Sequence, residues 1–193
     1  MGFTSVEAVI IVFISFLFGF EIILFGVNIS NISLFPYQNW IIGINAGGAL
    51  IPIILSIYLA AKKKISLKKV LFGMLVVTII AFFVTHPIPE KGIVAYFPYW
   101  LLPAVFASIV SAVLSWNEFS KAAPLAYISG TMGVLIGADF LHLHELLSHT
   151  VESQTPAIIG GANVFDMVYI TGILAVILDG VLMYRQRLRE GMS

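Results

Sequence analysis

GTMGVLIGADFLHLHELLSHTVESQTPAIIGGANVFD, residues 130–166, is the stretch on which the reading of this chain turns. An apolar run punctuated by glycines ends at Asp139. The chain then passes His142, His144, Glu145 and His149 before closing on Asp166, where a second apolar run begins. Acids set at the edges of segments this apolar are expensive in hydrocarbon, so they mark function by default.

The remainder of the chain is equally apolar. Of 193 residues, 60% are hydrophobic and 10% charged, with a net charge of zero and a mean hydropathy of +1.02. A soluble domain carries about a quarter charged residues. So few charges cannot clothe a globule of this size in water, and the class expected is an integral membrane protein forming one domain over residues 1–193. Neutral charge and the lack of a basic arm argue against a nucleic-acid partner. With no cysteine, neither a disulfide framework nor a thiolate metal site is available. The first apolar segment is too long for a cleaved signal peptide, and it lacks the basic start and small-residue cleavage site of one.

Six apolar segments stand out against the roughly 20 residues a helix needs to cross the bilayer. They cover about 8–27, 41–61, 70–85, 96–116, 124–139 with possible continuation to 147, and 162–184. They are continuously apolar rather than alternating, which favours helices over a barrel. The fold class expected is therefore all-α, a polytopic membrane helical bundle of about six transmembrane helices. Tyr96, Phe97, Tyr99 and Trp100 fall where an interfacial aromatic belt would lie. The 154–161 connector, with Pro156 and two glycines, reads as a re-entrant or surface loop.

Orientation comes from Lys and Arg. Six spans with both termini cytoplasmic put Lys62, Lys63, Lys64, Lys68, Lys69, Lys121, Arg185, Arg187 and Arg189 inside, and Lys91 alone outside. The polar residues Glu21, Asn28, Asn45, His86, Asp139, His142, Glu145, His149 and Asp166 then gather in the outer half, where one outward-facing pocket could collect them. At 1.5 Å per residue, Asp139 lies roughly 22 Å from the inner face.

If the fifth helix continues unbroken, positions 139, 142, 145, 146 and 149 share one face about 120° wide, and His144 points away. Asp139 and His142 could grip one ion, completed across the bundle by Asp166 and His86. Imidazole and carboxylate suit Zn²⁺ or another divalent cation. Glu145 is the candidate general base. A metal-free alternative pairs Asp139 with Asp166 as an acid–base dyad, in which one carboxyl keeps its proton while the other activates water. Intramembrane aspartyl proteases use such a pair. Gly137-Ala138-Asp139 resembles their glycine-x-glycine-aspartate element and Phe165-Asp166 their tyrosine-aspartate, in reversed order and with alanine at the second glycine. The structural alternative gives Asp139 a hydrogen bond to a neighbouring helix or a loop amide and leaves His144 and His149 at the interface. Glu21, flanked by Gly19 and Gly26, is read as a third buried acid. Asp179 is read as an interfacial partner for Arg185.

Three stretches together resemble a known family: Asn45-Ala46-Gly47-Gly48-Ala49-Leu50-Ile51-Pro52, Ser129-Gly130 through Gly137-Ala138-Asp139, and Gly160-Gly161-Ala162-Asn163-Val164-Phe165-Asp166. They are similar to the prokaryotic membrane-protein family catalogued as domain of unknown function 1614, as is Thr171-Gly172-Ile173-Leu174-Ala175. The resemblance covers about residues 40–178 and implies a multi-span membrane fold without an established activity. Asn163 stands where that family has glycine.

The function expected is a membrane-embedded hydrolase, peptidase- or esterase-like, with its site toward the extracytoplasmic side of the cell membrane. The competing class is a small cation- or proton-coupled transporter or channel. A third is a structural or partner-binding protein whose glycine-rich faces are interfaces. The partners expected are the lipid bilayer, a peptide, lipid or ion substrate, and, in one variant, further copies of the chain.

Overall fold

Five glycines and alanines line one long helix and let its neighbours come close. In this computed structural model the described residues are 2–14, 16–17, 20–25, 27–89, 91–161 and 167–190. The chain is mostly helical. Helix α1 is Ser5–Val9, α2 Ile51–Lys62, α3 Leu67–Val84, α4 Leu102–Leu114, α5 Ala122–Val134, α6 Leu141–Ser148 and α7 Met167–Glu190. Helices α5 and α6 form one 30-residue rod, residues 119–148, joined by a π turn over Leu135–Phe140.

The centre of the bundle is α5, packed by α2, α3, α4 and α7. Ten consecutive residues from Ala122 to Thr131 are buried. Small side chains make this possible. An ideal Cβ on Gly137 would stand 2.3 Å from the Thr78 carbonyl oxygen of α3, and one on Gly133 would stand 2.6 Å from the Val77 Cβ. Gly130 admits Thr171 of α7 in the same way. Gly133 and Gly137 form a small-xxx-small pair that brings two helix backbones together where side-chain burial from water supplies little drive.

Helix α3 shows the opposite character. Only Val70, Gly73, Val77 and Ala81 are buried, whereas Leu71, Phe72, Leu75, Ile79 and Phe83 are about half exposed or more. Among the described residues, its 18 residues and the 30-residue rod are the two helices long and apolar enough to cross a membrane.

Strands modify the all-α expectation. β1 (Ile23–Leu24) and β2 (Val27–Asn28) form a short ladder. β3 (Asn31–Tyr37) and β4 (Trp40–Asn45) form an antiparallel hairpin, and β7 (Thr155–Ile159) adds to β4 in parallel. β5 (Thr85–Ile88) and β6 (Gly92–Ala95) make a second hairpin. The apolar run 41–61 is thus a strand followed by a helix. Its isoleucine-rich start suits a central strand buried on both faces, which reads as continuously apolar, as a helix does. The 154–161 connector is likewise mostly strand. Helix α4 starts later than residue 96, after a 3₁₀ turn over Tyr99–Leu101. The first segment, 8–27, continues from α1 into a π turn, Ile10–Ile14, and has left the helix by the β1–β2 ladder. Residues 162–166, the expected start of the sixth span, lie outside the described residues.

Basic segments collect at one end. Lys121 and Lys69 approach Glu118 at 2.9 and 3.9 Å, and Lys121 Nζ donates to the Lys64 carbonyl at 3.4 Å. The β3–β4 hairpin precedes α2, which ends there, and the β5–β6 hairpin follows α3, which starts there.

Gly137→Ala tests the seam between α3 and α5. The added methyl meets backbone rather than a movable side chain, and overpacking of this kind costs about 1–3 kcal/mol. Gly180→Ala, with nothing within 4 Å of its Cβ, leaves stability unchanged or slightly raised. Denaturant unfolding in detergent separates the two.

Candidate functional site

The rod changes character where α5 ends. The Leu141 N–H bonds back to the Ile136 carbonyl, five residues earlier, so an extra residue enters the turn and the side-chain phase slips. Asp139 lies in this turn, half-buried, and its Oδ2 accepts the Gly160 N–H at 2.6 Å. Gly160 has φ +87°, and a Cβ there would fall 2.6–2.7 Å from Ala49 Cβ, Ala49 N and Gly48 C. Only glycine serves on both counts. Asn45 completes the corner: its Oδ1 accepts the Gly48 N–H at 2.7 Å and its Nδ2 donates to Asn31 Oδ1 at 2.7 Å. It caps the π turn Ala46–Leu50 that leads into α2.

Beside this corner lies a cavity of about 570 Å³. Asp139, Lys91, Trp100, Leu143, Gly161 and Met167 contribute to its lining, together with β6 and β7. Among the described lining residues Asp139 brings a carboxylate and Lys91 an ammonium, beside the hydroxyl-bearing Thr85 and Thr155 and a larger apolar surface.

The other candidate residues do not converge on Asp139. His142 is buried and turned onto α3: its Nε2 donates to the Phe82 carbonyl at 3.0 Å, and its ring stacks on Phe82 at 4.5 Å. His142 Nδ1 stands 3.4 Å from the exposed Glu145 carboxylate. His86 is exposed on β5. None of these three lines the cavity. For His142 and Glu145 the physical reason is the π turn, because the 100° count from 139 to 149 assumed an unbroken α-helix; His86 stands instead on the exposed side of β5. His144 is exposed, and His149 Nδ1 lies 2.9 Å from the Glu145 carbonyl. Among the described residues no three His, Asp, Glu or Cys side chains are grouped to hold a metal ion. Glu21 is exposed rather than buried and accepts from Asn28 Nδ2 at 2.7 Å, because the chain has left the helix there. Asp166 and the Asp179 side chain lie outside the described residues. Gly161 and Met167, on either side of 162–166 in the chain, both line the Asp139 cavity.

A model of the family described as "Protein of unknown function (DUF1614)" matches residues 6–178. The chain belongs to that family. No curated protein and no solved structure matches it. The segments that carried the resemblance, around Asn45–Ala49, Gly137–Asp139 and Gly160–Gly161, are the ones that meet at this corner.

Two residues escaped the reading of the sequence. Lys91, noted only as the outer basic residue, lines the cavity. Glu7 is 2% exposed and ties the start of the chain to the end of α2. It closes a capping box with Thr4, whose N–H reaches Glu7 Oε2 at 2.6 Å, and it pairs with Lys62 at 2.9 Å and Lys63 at 3.5 Å. The spacing Thr4-Ser5-Val6-Glu7 is the sequence signature of that box.

Burial raises the Glu7 pKa, but the Thr4 amide, the Lys62 and Thr4 hydrogen bonds and the Lys63 charge outweigh it and hold the carboxyl at about 2 instead of 4.5. A carboxyl depressed on folding stabilises fully above its unfolded pKa and loses that contribution as pH falls toward the folded one. Glu7→Gln therefore lowers stability at neutral pH by about 2 kcal/mol, in line with other charged hydrogen bonds. The gap from wild type closes as pH falls from 4.5 toward about 2. Thermal unfolding of both proteins across that range checks it.

Proposed function

We propose that the protein is a membrane-embedded hydrolase of the aspartyl type, working from the Asp139 cavity. One observation carries this: Asp139, oriented by the Gly160 amide, faces a chamber whose wall also holds both residues bracketing Asp166, Gly161 and Met167. In this reading Asp166 is the second carboxyl. The Gly160 N–H orients the Asp139 carboxylate. Asp139 is then the base: it takes a proton from water as the water oxygen bonds to the scissile carbonyl carbon. Protonated Asp166 gives its proton to the carbonyl oxygen. As the C–N bond of the tetrahedral intermediate breaks, Asp139 passes its proton to the leaving nitrogen and Asp166 takes back a proton from a hydroxyl of the collapsing gem-diol, yielding acid and amine. A form using Zn²⁺ or another divalent ion needs ligands beyond Asp139 and Asp166, and His142 is engaged with the Phe82 carbonyl.

The setting is a six-span bundle with both termini cytoplasmic and the cavity toward the extracytoplasmic side. The apolar outward face of α3 and the gathering of Lys62–Lys69 and Lys121 at one end support it, as does the positive-inside rule. The chain has no cysteine, so single substitutions report cleanly. Gln38→Cys reacts with an impermeant maleimide on intact cells and Lys64→Cys only after permeabilisation; the reverse pattern rejects this orientation.

A transporter is the second reading, favoured by one observation. The hydroxyls of Ser111, Ser115, Tyr127 and Ser129 are buried without a hydrogen-bond partner among the described residues, and Ser56 and Thr131 bond each other at 3.2 Å in the same core. Orphaned hydroxyls are costly unless water or an ion reaches them.

Asp139→Asn and Asp166→Asn decide between the two. Asparagine still accepts the Gly160 N–H, so the fold is kept. Each variant lowers hydrolysis of a quenched-fluorescence peptide pool by about 100-fold or more, as loss of an acid or base does, and chelators leave wild-type turnover unchanged. Loss of turnover to a chelator with recovery on Zn²⁺ replaces the dyad by a metal. Proton or cation flux into vesicles, abolished by Asp139→Asn with no turnover, replaces the enzyme by a transporter.

A further inference from the structure

The two strands of the first long hairpin differ in burial. β4 keeps Trp40, Ile42, Gly43 and Asn45 inside, whereas every residue of β3 from Ile32 to Tyr37 is exposed. The bulge between Ser33 and Phe35 sets Ile32, Phe35 and Tyr37 opposite Ile44, Ile42 and Trp40. Cross-strand partners share a face, so these three form one apolar row. The row continues the side on which Trp40 packs with Leu146, Val151 and Ala157, but it overhangs the bundle. Ile32, Phe35 and Tyr37 are 38, 54 and 47% exposed, and the bulged Leu34 is 52% exposed.

Edge strands that stand in water are commonly guarded by charge. Residues 22–61 hold no Asp, Glu, Lys, Arg or His, so no such guard lies along this hairpin. β3 ends the sheet β3-β4-β7, and its outer side suits another strand poorly. Pro36 has no N–H to give, and the bulge breaks the repeat. Hydrocarbon is equally unsuitable, because the outward main-chain groups of β3 would go unanswered there. The hydrated headgroup zone meets both demands: water answers the main chain while acyl carbons cover the apolar row. Tyr37, and Tyr96 and Tyr99 in the exposed turn before α4, are of a residue type enriched at that depth.

We propose that β3 is seated in the interfacial zone of the bilayer, with Ile32, Phe35 and Tyr37 turned into lipid. β7, two strands away and so within about 10 Å, walls the Asp139 cavity. The sheet thereby ties that cavity to headgroup depth. The choice of the outer leaflet rests on the orientation given above, whereas the insertion is measured without it.

The lack of cysteine permits a test on the full chain, reconstituted into vesicles of phosphatidylcholine and phosphatidylglycerol. Phe35→Cys and, as a second position, Leu34→Cys carry a nitrobenzoxadiazole fluorophore. Leu75→Cys on the outward face of α3 marks hydrocarbon, and Ser153→Cys in the exposed loop after α6 marks water. Quenching is read with a nitroxide lipid labelled near its headgroup, one labelled near the acyl-chain end, and aqueous iodide. At about 15 Å from the bilayer centre, both β3 positions are quenched about twofold more by the shallow nitroxide than by the deep one. Leu75→Cys shows the reverse order. Iodide quenching equal to that of Ser153→Cys, with no response to either lipid, overturns the proposal. So does preferential quenching by the deep nitroxide. Shielding from all three quenchers overturns it as well, and disulfide cross-linking of unlabelled Phe35→Cys then identifies a second copy as the occupant. Reversed labelling of Gln38→Cys moves β3 to the inner leaflet and leaves the insertion standing.

Discussion

Close approach of two helix backbones at Gly133 and Gly137 is the constraint on which the rest depends. Because a Gly137 Cβ would overlap the Thr78 carbonyl, the rod is drawn against α3 from the C-terminal half of α5 into the π turn. In a bilayer, burial from water contributes little between helices, and contact has to come from dispersion and shape. Small residues on one helix then do what large apolar residues do in a soluble core. This explains why α5 is buried all round, while α3 turns Leu71, Leu75 and Ile79 outward.

The seam also fixes where the polar corner falls. Gly137 is held against α3 two residues before Asp139, and the π turn begins just ahead of it at Leu135. An unbroken α-helix would leave Asp139 and His142 near one face. The inserted residue separates them, sending His142 to the Phe82 carbonyl and Asp139 to the Gly160 amide. The corner is closed by backbone rather than side chains, since Gly160 fits between Asp139 and the Gly48–Ala49 turn only because it has no Cβ.

Much of this was legible from composition and period. Helix α3, the continuation of the fifth segment to about Leu147 and the family were readable because long apolar periodicity and glycine spacing are local signals. The hidden parts depend on partners distant in sequence. Trp40–Asn45 pairs with Thr155–Ile159, more than a hundred residues away, and a buried strand of isoleucines looks like the start of a helix until that partner is seen. Asp139 stood out as an acid at the edge of an apolar run, yet its partner is a main-chain amide, which no side-chain pattern announces. Glu21 was placed in a span because the run around it is apolar, although Gly19, Gly26 and Asn28 are also turn formers. Glu7 carried a capping-box signature next to a segment whose hydropathy drew the attention.

An amide bond to a carboxylate is compatible with a purely structural Asp139, and two features weigh against stopping there. A structural acid needs only its donor, and a chamber of about 570 Å³ at its side adds nothing to that bond while removing packing from the π turn, α6, β6 and β7. The π turn points the same way. A regular helix would satisfy the same backbone groups with better packing, and such turns persist mostly where they re-aim a side chain toward function. Here the turn lifts one carboxylate out of the histidine-bearing face of α6 and sets it beside the cavity. Fold stability alone asks for neither the cavity nor the turn, whereas the hydrolytic site we propose uses both.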